Sequence, residues 1–148
     1  MSKIKTQNPI VHTPSFKIYE IGGAEIASQL KNLGLRLPVG LLDSRYFYTD
    51  AGGWGKLLAD LLVKSNLYSE NKFDCDNMAL RAMNTCAERY GLNTMAFIIG
   101  DIPQGRHAFN LIYTGTDWLV FEPNEGFSYQ GQAFPIGQNG YKPDVVLI

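Results

Sequence analysis

Cysteine and histidine are scarce in this sequence, which has two of each among its 148 residues. The cysteines are Cys75 and Cys86. On a single helix they would lie about 16 Å apart, because each residue adds roughly 1.5 Å, and a disulfide cannot span that distance. Both thiols are therefore expected to be free, as is usual in a reducing compartment. The histidines are His12, in a polar N-terminal stretch, and His107.

Long apolar runs, a secretion leader and an excess of basic charge are also missing. No run approaches the length of a bilayer span, and no charged and apolar leader begins the chain. The formal net charge of −1 comes without a basic stripe, which gives no support for nucleic acid or an anionic membrane as partner. We therefore expect a cytoplasmic protein, and the hydrophobic share of 45% is sufficient for one domain core.

An amphipathic helix is predicted to begin at Cys75. Its apolar stripe has the i, i+3, i+4, i+7 spacing of one helix face and consists of Cys75, Met78, Ala79, Ala82, Met83, Cys86, Ala87 and Tyr90. Asp74 is a favourable N-cap, and Gly91 stands where a left-handed residue ends a helix. Cys75 is then the first helical residue, where the helix dipole stabilises a thiolate.

The whole chain is predicted to be a flexible arm over residues 1–16 followed by a single α+β domain over residues 17–148. Helices come first, and an antiparallel sheet follows. Two local structures are also predicted: a turn at Gly52-Gly53 and a short strand near Phe127–Tyr129.

A hairpin is predicted around Gly115-Thr116, because glycine in the first position is typical of a two-residue type II′ turn. In this register His107 faces Asn124, and Phe109 faces Glu122. Residues two apart share a face of a strand, so an amide and a carboxylate lie on the histidine's side. Glu122 has the longer reach, and we expect it to orient His107, with Asn124 as the alternate.

The order of cysteine on a helix, histidine on a strand and acid one hairpin later resembles the papain-like superfamily, and most closely its transglutaminase-like branch. The similar stretch runs from Phe73 to Asn124, and its Asp-Cys-Asp motif resembles that of small bacterial and phage members. The resemblance implies a thiolate nucleophile at Cys75, a general base and acid at His107 and an orienting group at Glu122. The family usually has aspartate in that third place.

This resemblance implies a cysteine-dependent acyl-transfer enzyme: a peptidase, amidase, deamidase or transglutaminase that acts on a protein or peptide through a thioester. It implies no cofactor. Candidates for an oxyanion donor or a substrate groove are Trp54, Asp76 and Phe109. The indole N–H of Trp54 is the candidate donor, together with the backbone N–H of Cys75.

The same residues are also compatible with other roles. Trp54 is also suited to anchoring its helix in the core, and His107 to a hydrogen-bonded core position. A metal site of Asp74, Asp76 and His107 lacks a known zinc or calcium spacing. The alternative function is a non-catalytic binding or structural module, such as a phage or cell-envelope component, on the same scaffold.

Overall fold

A computed structural model describes residues 14–148. These residues form three α-helices and seven strands in the order β1 (Tyr19–Gly22), α1 (Gly23–Asn32), β2 (Arg45–Tyr48), α2 (Ala51–Leu61), α3 (Cys75–Tyr90), β3 (Met95–Ile102), β4 (Gly105–Tyr113), β5 (Trp118–Phe121), β6 (Ala133–Pro135) and β7 (Lys142–Leu147). A 3-10 turn over Ser65–Leu67 lies between α2 and α3. Among residues 14–148, none of the helices has the combined length and apolar character that a membrane span requires.

The strands form two antiparallel sheets. The larger has five strands in the order β6-β5-β4-β3-β7, and β1 pairs with β2 in the smaller. Leu111 pairs with Val120 across the β4–β5 hairpin, and the Thr114 N–H donates to the Asp117 carbonyl at 2.9 Å. The predicted hairpin register is confirmed.

Each face of the large sheet carries its own hydrophobic core, because side chains alternate between the two faces of a strand. Helices α2 and α3 cover one face, which includes Ile112 and Phe121. Helix α1 and the small sheet cover the other face, which includes Phe109 and Val120. Each fully buried large apolar side chain stabilises the fold by about 1.5–3 kcal/mol relative to exposure.

Helix α3 begins and ends where its sequence predicts. Cys75 is its first residue, and Gly91 ends it in the left-handed region at φ 67°. The Asp74 N–H donates to the Asn77 side chain at 3.2 Å, which satisfies one backbone donor at the start of the helix.

Two local predictions are wrong. Gly52 and Gly53 lie inside α2 rather than in a turn, because the Asp50 side chain caps that helix by accepting from the Gly53 N–H at 2.8 Å. Phe127–Tyr129 forms no strand, and the edge strand β6 lies at Ala133–Pro135 instead. Turn hydrogen bonds such as Gln130 N–H to the Phe127 carbonyl, at 3.1 Å, replace strand pairing there.

The predicted arm lies mostly outside the described residues, as does His12. The last residues of this arm, Ser15 and Phe16, pack against the domain. The Lys56 ammonium donates to the Ser15 carbonyl at 2.7 Å, and the ring of Phe16 meets Tyr90 edge to face at 5.9 Å.

Candidate functional site

Cys75 is held in place by the docking of α3 on the sheet. The side-chain amide of Asn110, buried in β4, donates to the carbonyls of Ala79 and Ala96, both at 3.0 Å. It therefore ties the first turns of α3 to β3. The Cys75 side chain is half-buried at this helix end.

His107 lies near the start of β4 and contacts Glu122 directly. Its Nε2 is 2.8 Å from Glu122 Oε2. Asn124 Nδ2 is 3.4 Å from the same nitrogen, but an Nε2–H that donates to the carboxylate cannot also accept from an amide. Of the two candidates for an orienting group, Glu122 makes the hydrogen bond to the imidazole.

Asn124 contacts the carboxylate of Glu122 instead. Its backbone N–H donates to Glu122 Oε1 at 2.9 Å, and its side-chain amide donates to the same oxygen. Tyr141 adds a hydroxyl donor to Oε2 at 2.6 Å. Glu122 is completely buried, and these donors, together with His107, supply the hydrogen bonds that a buried charge requires.

The thiol of Cys75 and the imidazole of His107 form a charge-stabilised pair. The hydrogen bond with His107 lowers the pKa of Cys75, against an opposing contribution from burial, and the Ala108 N–H lowers it further. Burial acts to lower the pKa of His107, but hydrogen bonds with Cys75 and Glu122 prevail and raise it to about 9. Since Nε2 faces Glu122, Nδ1 is left for Cys75. The pair thus favours a thiolate beside an imidazolium, which is a nucleophilic sulfur.

Two carboxyls flank this sulfur in the sequence. Asp74 and Asp76 share a hydrogen bond, which lowers the pKa of Asp74 and raises that of Asp76. Asp76 is exposed, so it is available at the rim of the site. The negative charge of Asp74 acts to raise the pKa of Cys75, but it is the weakest of the contributions to that pKa.

Trp54 and Phe109 do not line a groove, contrary to prediction. The indole N–H of Trp54 donates to the Tyr113 carbonyl at 2.8 Å, six residues along β4 from His107 and thus roughly 20 Å away. Trp54 is 1% exposed and anchors the core. Phe109 is fully buried and packs against the ring of Tyr141 at 5.0 Å.

Tyr141 and Phe127 belong to the site, although the sequence shows no signal for either. The ring of Phe127 stacks on His107 at 4.3 Å between centroids. Both aromatic residues also line a recess of about 80 Å³ where three loops of the sheet meet. The recess is lined by Pro103, Gln104, Phe127, Ser128, Tyr129, Asn139 and Tyr141.

Among Cys75, His107 and Glu122, the cysteine is the residue that solvent reaches. His107 is 4% exposed and Glu122 is 0% exposed. His107 lies between the half-buried Cys75, whose pKa it lowers, and the buried carboxylate of Glu122, to which it is hydrogen-bonded. Chemically, the arrangement presents one activated sulfur at the surface.

Comparison with known proteins links the fold to a lectin. No protein-family model matches the chain, and neither does any curated protein. Among solved structures, one described as a PSL1a–E64 complex matches at a TM-score of 0.67 with 18% identity, over 87% of this chain and 51% of that chain. The Polyporus squamosus lectin bound to the human-type influenza-binding epitope Neu5Acα2-6Galβ1-4GlcNAc matches at 0.63 with 18% identity, over 87% of this chain and 49% of that chain.

These matches contradict the predicted family and the function that it implied. The solved structures are described as PSL1a with E64 and as Polyporus squamosus lectin with a glycan, and the assignment to a cysteine-dependent acyl-transfer enzyme is corrected accordingly. The chain spans about half the length of the structures that it matches. At this identity the likeness shows a shared fold.

Proposed function

We propose that the chain is a non-catalytic binding module and that its ligand is a carbohydrate. The observation that carries the proposal is the fold likeness to a lectin over 87% of the chain. Glycan binding belongs to that lectin, whose length the chain covers by about half. The proposal that this chain also binds a glycan therefore requires a site of suitable chemistry on this chain.

The recess between the three loops has such chemistry. Phe127 and Tyr129 are half-buried and offer apolar ring surface, while Gln104 and Asn139 are exposed amides at the rim. An amide both donates and accepts hydrogen bonds, as a sugar hydroxyl does. A volume of about 80 Å³ is small beside the roughly 300 Å³ of typical ligand pockets, so we expect weak binding of one terminal sugar.

The buried hydrogen-bonded residues His107, Glu122 and Tyr141 hold the aromatic rings of this recess in place. His107 backs the ring of Phe127 at 4.3 Å, and the hydroxyl of Tyr141, at the floor, is fixed by Glu122. In this proposal His107 and Glu122 are positioning residues that hold two aromatic rings of the binding site.

Titration calorimetry against a glycan panel tests the proposal. The panel includes Neu5Acα2-6Galβ1-4GlcNAc and the same glycan without its sialic acid. Tyr129→Ala should weaken glycan binding at least tenfold, because the variant loses the aromatic ring that stacks on the sugar and the apolar area that this ring buries. The matched control is Tyr19→Ala, which removes a 39% exposed tyrosine of β1 and should change nothing. No binding to any glycan at millimolar concentration, or binding of peptides instead, would reject the carbohydrate.

The setting that we propose is a reducing compartment such as the cytoplasm. Cys75 and Cys86 are both free, and free thiols persist where the surroundings keep them reduced.

A further inference from the structure

A cleft lies between α3, the end of β7 and the loop that precedes β2. Its volume of about 330 Å³ is within the range of small-molecule sites, which is roughly 300–1,000 Å³. Six apolar side chains form most of its wall: Leu42, Leu80, Met83, Ala87, Met95 and Leu147. The cleft shares no lining residue with the recess that we assign to glycan binding.

Two leucines at this cleft are unusually open to solvent. Leu42 is 58% exposed and Leu80 is 39% exposed, and they belong to different walls of the cleft, the loop before β2 and helix α3. Apolar area that stays exposed in a concave site is area that a ligand covers at a gain in free energy. The cleft is therefore suited to the apolar body of a ligand.

The carboxylate of Asp43, which also lines the cleft, is held in a fixed position. The side-chain amide of Asn93 donates to Asp43 Oδ2 at 3.0 Å, and Asn93 is itself fixed because its Oδ1 accepts from the Phe47 N–H at 2.7 Å. The backbone N–H of Asp43 donates to the hydroxyl of the buried Tyr46 at 3.1 Å. A carboxylate accepts about four hydrogen bonds, so this one retains capacity for a donor on a ligand.

The charge of Asp43 has no cation beside it. Among residues 14–148, no lysine or arginine nitrogen lies within 4.0 Å of this carboxylate. Arg45, two residues along the chain, donates to Glu20 at 2.8 Å, and Arg89 at the end of α3 is held by Asp60 at 2.7 Å. An apolar cleft with an unpaired carboxylate attracts a cation and repels an anion.

We propose that this cleft binds a small primary amine, whose apolar body fills the cleft and whose ammonium pairs with Asp43. An ammonium supplies three donors and no acceptor, which matches a carboxylate that is already oriented. At about 4 Å in water such a pair changes the affinity about fivefold. Apolar contact thus supplies most of the affinity, and the charge of Asp43 selects among ligands of similar shape.

A titration of backbone amide chemical shifts on the full chain, at pH 7 and low salt, compares three probes that share a phenylethyl body. The probes are phenethylamine, which is cationic, neutral 2-phenylethanol and anionic 3-phenylpropanoate. Phenethylamine should bind with a Kd on the order of 1 mM and about fivefold more tightly than the alcohol. The carboxylate should bind more weakly than the alcohol, and 0.5 M NaCl should bring the three affinities closer together.

A matched pair of charge substitutions locates the selectivity. Asp43→Asn keeps the size of the side chain and should reduce the affinity for the amine to that for the alcohol. Glu70→Gln makes the same charge change on an exposed loop and should leave both affinities unchanged. Glu70 precedes α3, whereas Asn93, the partner of Asp43, follows it, and the 16 residues of this helix span about 24 Å.

A third substitution tests whether the cleft itself holds the apolar body. Ala87→Leu places a larger side chain in the cleft from an exposed position of α3, and leucine is a good helix former. This variant should keep the circular dichroism of the natural protein and should lose the chemical-shift changes with both the amine and the alcohol.

Equal affinities for the amine and the alcohol, or a selectivity that Asp43→Asn leaves unchanged, would overturn the proposal. Shifts of the same amides that depend on protein concentration, without any probe, would assign the cleft to a second copy of the chain and would also reject the amine. Glycan binding is measured separately with Tyr129→Ala, so failure of one proposal is distinguishable from failure of the other.

Discussion

At the scale of single residues, the buried carboxylate of Glu122 decides the character of the site. A charge with no exposure is costly, and it persists here because His107, Tyr141 and Asn124 all donate to it. The network is consequently an all-or-none feature, since removal of one partner leaves a buried charge without compensation. This explains why His107 can hold a proton inside the core.

A proton that moves from Cys75 to His107 on folding weakens the contribution of this pair to the pH dependence of the unfolding free energy. Ordinary pKa values are 9.0 for cysteine and 6.5 for histidine. Between these values the unfolded chain keeps its proton on the thiol, whereas in the folded pair the pKa of Cys75 is lowered and that of His107 is raised to about 9, so the proton moves toward the imidazole. To the extent that the proton moves from one partner to the other, the two states bind equal numbers of protons and the pair adds little slope of stability with pH.

Cys75→Ser should expose the contribution of His107 alone. Glu122 still favours the imidazolium in the folded variant. The stabilisation that results from a raised pKa of His107 is complete below pH 6.5 and is lost as the pH rises through the folded pKa. The unfolding free energy of the variant should therefore fall between pH 6.5 and 9, by about 1.4 kcal/mol per unit by which the pKa of His107 stays raised. Urea denaturation at pH 6, 7, 8 and 9 measures this. Parallel pH profiles for the variant and the natural protein would contradict the expected coupling.

At the scale of elements, the start of α2 depends on how closely the helix approaches its own N-cap loop. A Cβ at Gly53 would lie 1.9 Å from Thr49 Oγ1 and 2.9 Å from its Cβ. Thr49 is completely buried and cannot turn away. Gly55, two residues later, has open space around its Cβ position, so the two glycines occupy the same helix for different reasons.

Alanine substitutions should separate these two glycines. Gly55→Ala should stabilise the protein by about 0.5–1 kcal/mol, because alanine favours an exposed helix position over glycine. Gly53→Ala should destabilise it by about 1–3 kcal/mol through overpacking. Urea denaturation gives both values, and a stabilising Gly53→Ala would show that the loop at Thr49 yields easily.

At the scale of the whole molecule, the five-stranded sheet links two hydrophobic cores. Strand β4 contributes Ile112 to the core under α2 and α3 and Leu111 to the core under α1. Neither core can lose its sheet face without disturbing the other. The domain should consequently unfold as one unit.

The two tryptophans test this cooperativity, because each reports on one core. Trp54 lies in the α2–α3 core and Trp118 in the other. In Trp54→Phe, the fluorescence of Trp118 should change at the same urea concentration as the far-UV circular dichroism, and the converse should hold in Trp118→Phe. Separate midpoints in either variant would show that the cores unfold independently.

The sequence by itself determined the local elements. Asp74 and Gly91 mark the ends of α3, and Gly115 sets the hairpin register, because caps and turns depend on residues within a few positions of each other. That register also predicts the approach of Glu122 to His107, because strand pairing carries a local turn across a whole hairpin.

The tertiary structure alone decided what surrounds this pair. Tyr141 reaches Glu122 from a loop before β7, Phe127 covers His107 from a turn that resembled a strand, and the indole of Trp54 is committed to β4. The likeness to a lectin also became visible from the fold, since no protein-family model or curated protein matches. Such contacts join residues far apart in the chain, and their geometry depends on the packing of whole elements, which no local pattern of residue types contains.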